Sequence, residues 1–177
     1  MQNPIIKNGV FAGLAGILLM LVLYLAAPSM MTSPWISLVS FAIIIIFMVM
    51  AVSNFKAQNN GFASFGEALL QSLGVAGVAT IIGSIFSYLL YNVIDPGLVD
   101  VLKEASIAQI ESMEGLIGEE GVDKALDDLE NQEFTFGFGK ILFGAISAMV
   151  IYLIISLIVA AITQKKPKGA ASLDSHV

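Results

Sequence analysis

Polar residues gather in a few clusters along this chain, and the stretches between them are almost wholly apolar. Four such runs stand out, at about residues 9–27, 35–55, 66–94 and 137–163. Each reaches the roughly 20 residues that a helix needs to cross about 30 Å of hydrocarbon. Inside lipid no water is at hand for backbone N–H and C=O groups, so these runs are predicted to be helices. The third run, Gly66 to Ile94, is long enough as a helix, at about 1.5 Å per residue, to overshoot the hydrocarbon layer. Its first turns are therefore expected among the headgroups, or the helix tilts.

Between the third and fourth runs the pattern changes. Asp95-Pro96-Gly97 punctuates the end of the third run. Beyond it Leu98, Val101, Leu102, Ala105, Ile110 and Met113 recur at roughly helical spacing, and Val122, Ala125, Leu126 and Leu129 form a second stripe. Gly118 and Gly121 bracket a break between the two. The whole pattern predicts an all-α polytopic membrane protein with four transmembrane helices. A short helical hairpin is expected in the insert 95–136, and a lysine-containing tail at 164–177.

Composition strengthens the membrane assignment. Of the 177 residues 57% are hydrophobic and 12% charged, with a mean hydropathy of +0.88. Soluble domains carry about 25% charged residues, so four buried helices of a soluble protein would lack the polar surface to cover them. There is no cysteine, which excludes disulfides, a thiol nucleophile and thiolate metal ligands.

The distribution of charge gives a direction. Lys7, Lys56, Lys165, Lys166 and Lys168 all fall on one side of a chain that crosses four times. The other side receives the neutral link PSMMTSP and the segment Asp95 to Phe136, which holds twelve acids against Lys103 and Lys124, a net of -10. The positive-inside rule then places both termini in the cytoplasm and the acidic insert outside. Tyr24, Trp35, Tyr88 and Tyr91 lie toward the outer ends of the runs, where amphipathic rings favour the headgroup layer. A cleaved signal peptide ending at Ala27 is the rival reading. The first run is long for that role, one lysine precedes it, and Leu25 is a poor residue three places before the cut, so the first run is expected to remain as a span.

Candidate chemistry is sparse. Glu67 stands at the mouth of the third run, in SFGE, which has the form of a capping box with Ser64 as N-cap and Glu67 at N3. The functional alternative is a proton-linked carboxylate or a partner contact, since an acid so close to lipid is costly. Lys140 near the outer start of the fourth run can snorkel toward water, with Asp95 or Glu133 as its expected counter-ion. Glu119, Glu120, Asp123, Asp127 and Asp128 follow helical spacing rather than that of a calcium loop, which suits a solvated face better than a cation site. His176, the sole histidine, lies in the tail, and no Ser-His, metal or phosphate-loop arrangement is present. No catalytic residue, cofactor, metal or nucleic-acid partner is expected.

Small residues mark helix contacts where lipid removes the hydrophobic drive. Gly9 and Gly13 form a GxxxG pair, with Gly16 near the same face. Gly74, Gly77, Ala79, Gly83, Ser84 and Ser87 mark the third run, and Gly144, Ser147 and Ala148 the fourth. Packing within one chain is the favoured use, with a homo-oligomer seam the alternative. The second run, with IIIIFMVM, lacks such residues and should show more of itself to lipid.

Three stretches, NPIIKNGVFAGL, FKAQNNGFASFGEAL and SIFSYLLYNVIDPG, resemble the DUF4199 family of four-span bacterial membrane proteins, found mostly in Bacteroidota. The resemblance covers nearly the whole chain. Gly61, Phe62, Phe65, Gly66, Glu67 and Ala68 match its GF-x-x-FGEA pattern, and Phe86, Asp95 and Pro96 match the end of the third span. It implies the fold and a bacterial inner-membrane location but no activity. The functional expectation is a non-enzymatic membrane protein whose outer helices, residues 98–133, bind an envelope partner. A small transporter or channel component, with Glu67 titrating, is the alternative. A membrane enzyme ranks third and would need Asp95 and Glu133 to converge on a metal.

Overall fold

The computed structural model describes residues 3–131 and 136–165. Glu133, Lys166, Lys168 and His176 lie outside these. Six helices are described: α1 (Pro4–Ala26), α2 (Pro34–Gln58), α3 (Phe65–Leu89), α4 (Leu98–Ser112), α5 (Glu114–Asn131) and α6 (Phe138–Thr163). Four spans are long and apolar enough to cross a membrane: α1, α2, α6, and α3 with its extension to Ile94. Most of their large side chains point outward. Leu18, Val22, Ile46, Ile81, Ile85, Phe143, Ile146 and Ile162 are all exposed, a surface that only lipid can cover without penalty. We call the end bearing Pro4, the α2–α3 turn and Lys165 the terminal face, and the end bearing α4 and α5 the acidic face.

α3 is the central span. It packs on each of α1, α2 and α6, while α1 and α6 share no broad contact. The reason lies in residue size. A Cβ added at Gly9 would stand 2.6 Å from the Val78 Cβ, one at Gly13 2.9 Å from that of Ile82, and one at Gly74 2.7 Å from Ile5 Cγ2. Glycine on each helix thus receives a branched side chain from the other, and the backbones close to a distance no larger residue permits. The shared core of Ala12, Met48, Ala51, Val75, Ala76, Ala79, Tyr152 and Val159 is correspondingly rich in alanine and valine. Gly9 and Gly13 of the first run are used for packing within the chain, as the sequence favoured, whereas Gly16 has open space around it. In α2 only Met48, Ala51 and Val52 are buried, so this helix does present most of its surface to lipid.

Span three ends in an irregular turn. The α-helix stops at Leu89, a π-type turn covers Leu90–Ile94, and the Asp95 N–H closes it on the Leu90 carbonyl at 2.9 Å. Pro96 has no N–H with which to continue the helix.

The acidic insert is helical, with two departures from the sequence pattern. Leu98 and Leu102 are buried against Leu90 and Tyr91, but Val101 and Met113 stay exposed, so the working stripe of α4 is narrower than its spacing suggests. α4 rests on the short 3-10 turn Pro28–Thr32 between α1 and α2, which lids the bundle. The break expected between Gly118 and Gly121 falls at Gly118, whose φ of 74° and ψ of 166° suit glycine alone, and a further break that the spacing did not suggest comes at Met113, where α4 ends. Gly121, by contrast, continues the helix, with Ile117 folded over it.

Candidate functional site

The residues singled out by sequence fall at two places, one at each face. On the terminal face, NNGFASFGEA forms a clasp. Asn60 (φ 51°) and Gly61 (φ 83°) reverse the chain after α2. Ala63 then pairs with Lys165 as a two-residue antiparallel bridge, its N–H donating to the Lys165 carbonyl at 3.0 Å and its carbonyl accepting from the Lys165 N–H at 2.7 Å. The Lys165 ammonium lies 5.9 Å from the centre of the Phe62 ring. Ser64 opens α3 with a complete capping box. The Glu67 N–H donates to Ser64 Oγ at 3.4 Å, and Glu67 Oε2 accepts from both the Ser64 N–H and its hydroxyl at 2.7 Å. Ala68 is fully buried beside Val52 and Ala160. Gly66 has open space around it. In this arrangement Glu67 caps the start of α3, while the Ala63–Lys165 bridge fastens the preceding turn to the end of α6.

Just beyond the clasp, two buried polar groups lack partners. Gln71 Oε1 and Ser156 Oγ are enclosed with no hydrogen bond among the described residues. The Ala63–Lys165 bridge sets the α3–α6 register, Ala68 packs with Ala160, and Val75 shares a cluster with Tyr152. Gln71 and Ser156 therefore lie at matching depth on the facing stripes of the two helices. Ser72 is satisfied differently, donating to the Ala68 carbonyl at 2.8 Å.

The acidic-face half of the bundle is hollow. A cavity of about 490 Å³ lies among α1, α2, α3 and α6, with Tyr152 toward its floor and Tyr91, Phe136 and Lys140 toward its mouth. Its size is that of an ordinary small-ligand pocket. Gly16, Gly83 and Gly144 line it, and a Cβ on any of them would meet nothing within 4 Å. These glycines make space where Gly9, Gly13 and Gly74 remove it. On the lipid side of the α3–α6 seam a second, almost purely apolar groove of about 520 Å³ begins. Cavity and groove share Thr80, Ser84, Ile141 and Ala145 as a common wall.

Asp95 is a latch at this face. Its Oδ2 accepts from the Tyr24 hydroxyl at 3.1 Å, tying the end of α1 to the exit of α3. Asn92 adds a second tie, its amide donating to the Tyr88 and Phe136 carbonyls at 3.0 and 2.9 Å. Phe136 stacks on Tyr91 with ring centres 4.2 Å apart. Pro96 is exposed in the turn. The expected pairing of Lys140 with Asp95 is not formed: the carboxylate is turned to Tyr24, and Lys140 makes no ion pair among the described residues. Its other expected counter-ion, Glu133, lies outside them. No three His, Asp or Glu residues gather into a metal-sized group among the described residues.

The structure thus separates Glu67 and Gly66 from Asp95, Pro96 and Lys140 by the depth of the bundle. Sequence reasoning missed the cavity and the roles of Tyr91, Gly144 and Ser40 in lining it. The only sequence signal was the run of small residues in α3 and α6, which looks the same whether a glycine admits a neighbour or leaves a void.

Among known proteins, a family model described as a protein of unknown function, DUF4199, matches residues 7–165. No curated protein and no solved structure matches the chain.

Proposed function

The chain belongs to the DUF4199 family, and on that premise we propose that it is a non-enzymatic inner-membrane protein whose acidic outer helices recruit another envelope component. One observation carries this reading. α4 spends Leu98 and Leu102 on its own bundle, whereas α5 starts with Leu116 at 84% exposure and Ile117 at 43%, flanked by Glu114, Glu119 and Glu120. An apolar tip ringed by carboxylates suits a partner that offers an apolar pocket with a basic rim. The orientation follows from lysine. Lys7, Lys56 and Lys165 share the terminal face, which under the positive-inside rule supports a reading with both termini in the cytoplasm and α5 in the extracytoplasmic space. Because the chain has no cysteine, single Leu116→Cys and Lys56→Cys variants report sidedness directly with an impermeant thiol reagent.

The recruitment test is co-purification of tagged full-length protein from its native membrane, beside a Leu116→Ser/Ile117→Ser variant. Removing residues 98–133 is a harsher version, since it would also uncover Leu90 and Tyr91. A near-stoichiometric protein that is lost in the double variant supports the reading; identical companions in both preparations would refute it.

A transporter component using Glu67 is the second reading. It is favoured by Gln71, one turn deeper than Glu67 on α3, and by Ser156 opposite, two unpartnered polar groups on the way from the terminal face to the cavity. Substrate flux in liposomes that survives Glu67→Gln unchanged would remove that carboxylate from the path.

A further inference from the structure

We propose that the first turn of α6 is a binding site for one monoanionic phospholipid of the surrounding leaflet, with its phosphate on Lys140 and its two acyl chains astride the α3–α6 seam. The first argument is electrostatic. α6 begins at Phe138 after Gly137, with no side-chain cap and no acid in its first turn. The N–H groups of Phe138, Gly139 and Lys140 find no acceptor among the described residues, while that of Ile141 is the first to close on the Gly137 carbonyl, at 3.1 Å. This end of the helix dipole is positive, so a cation there is unfavourable unless an anion joins it. Lys140 stands in that turn without an ion pair among the described residues. Three N–H donors and an ammonium that are unpartnered among the described residues, at a positive dipole end, together favour a phosphate. Glycine on both sides of Phe138 leaves the backbone uncovered, with open space at Gly137 and Gly139.

The second argument is independent and concerns what lies directly below. A cavity of about 490 Å³ and a groove of about 520 Å³ flank the same seam, separated only by Thr80, Ser84, Ile141 and Ala145. Lys140 lines the cavity and Phe138 the groove. A headgroup with a single chain would fill one space and leave the other empty. A diacyl lipid places one chain in each. The cavity wall also includes Tyr91, only 9% exposed, whose hydroxyl has no hydrogen bond among the described residues. An ester carbonyl below the headgroup would supply the missing acceptor. Charge limits the choice further. The acidic insert around this face repels additional negative charge, so a lipid with one charge fits better than one with several.

The test is mass spectrometry of the lipid retained by full-length protein taken from nanodiscs of equal phosphatidylglycerol and phosphatidylcholine. The expected result is one phosphatidylglycerol per chain in preference to phosphatidylcholine. Lys140→Gln should lower that preference about five-fold, the worth of one lysine at an anionic headgroup. Lys124→Gln, on the same face but away from α6, should leave it intact. Gly144→Leu fills the cavity, keeps the ammonium, and should also reduce retention. Each variant is compared at unchanged helicity and elution volume, so misfolding is separated from lost binding. Equal retention of both lipids, or no effect of Lys140→Gln, overturns the proposal. Full retention in Gly144→Leu overturns the two-sided seating, and displacement of the lipid by free glycerol phosphate would show a headgroup site alone.

Discussion

Gly9 of α1 meets Val78 of α3 so closely that a methyl group on the glycine would lie 2.6 Å from the Val78 Cβ. The obstructing atom is bonded to the α3 backbone and cannot swing away. Gly9→Ala is therefore expected to push α1 and α3 apart and to destabilise the bundle by about 1–3 kcal/mol, the usual range for overpacking. Gly16→Ala, in open space, should be near neutral. Reversible unfolding in mixed micelles compares the two.

The clasp separates a structural Glu67 from a titrating one. Glutamine also serves at N3 of a capping box, so Glu67→Gln should retain most of the stability and Glu67→Ala should lose more. Ser64→Ala removes the N-cap and should cost about 1 kcal/mol. A stability order of wild type, Gln, Ala at position 67 supports the staple. If Gln and Ala were equally damaging, the negative charge itself would be the requirement.

Tyr24 donates to Asp95 across the acidic face, joining two helices far apart in sequence. Tyr24→Phe and Asp95→Asn should each loosen this face, and the double variant should be no worse than the more damaging single one. Hydrogen exchange at the Leu90–Ile94 turn is the readout, and additive effects would show that the two side chains act separately.

Ser156 Oγ is enclosed with no hydrogen-bond partner among the described residues. Burying an unpaired hydroxyl is costly, and replacing it with an apolar group of similar shape is neutral or favourable. Ser156→Ala should thus leave stability unchanged or raise it by up to about 1 kcal/mol. A clear loss would mean that a buried water bridges Ser156 and Gln71, as roomy polar sites in proteins often allow.

Span number, the helical insert, the capping box and the central part of small residues in α1 were all legible from the chain, because each is set by local composition or short spacing. An apolar run of about 20 residues has one stable form in lipid, and Ser64 and Glu67 are three residues apart on any helix start. The fate of Asp95 and Lys140 was not legible. The carboxylate had Tyr24, seventy-one positions earlier in the chain, as a competing partner, and opposite charge at a shared interface pointed to the lysine instead.

The glycines mark the boundary between the two kinds of knowledge. Their positions in the sequence establish where helices can approach, since a missing Cβ is a local fact. Whether the freed space is taken by a neighbour, as Val78 takes that beside Gly9, or left open, as at Gly144, depends on how α1 and α6 splay around α3. In lipid that choice rests on packing between distant segments, so only the tertiary structure could decide it, and with it the cavity beneath Lys140.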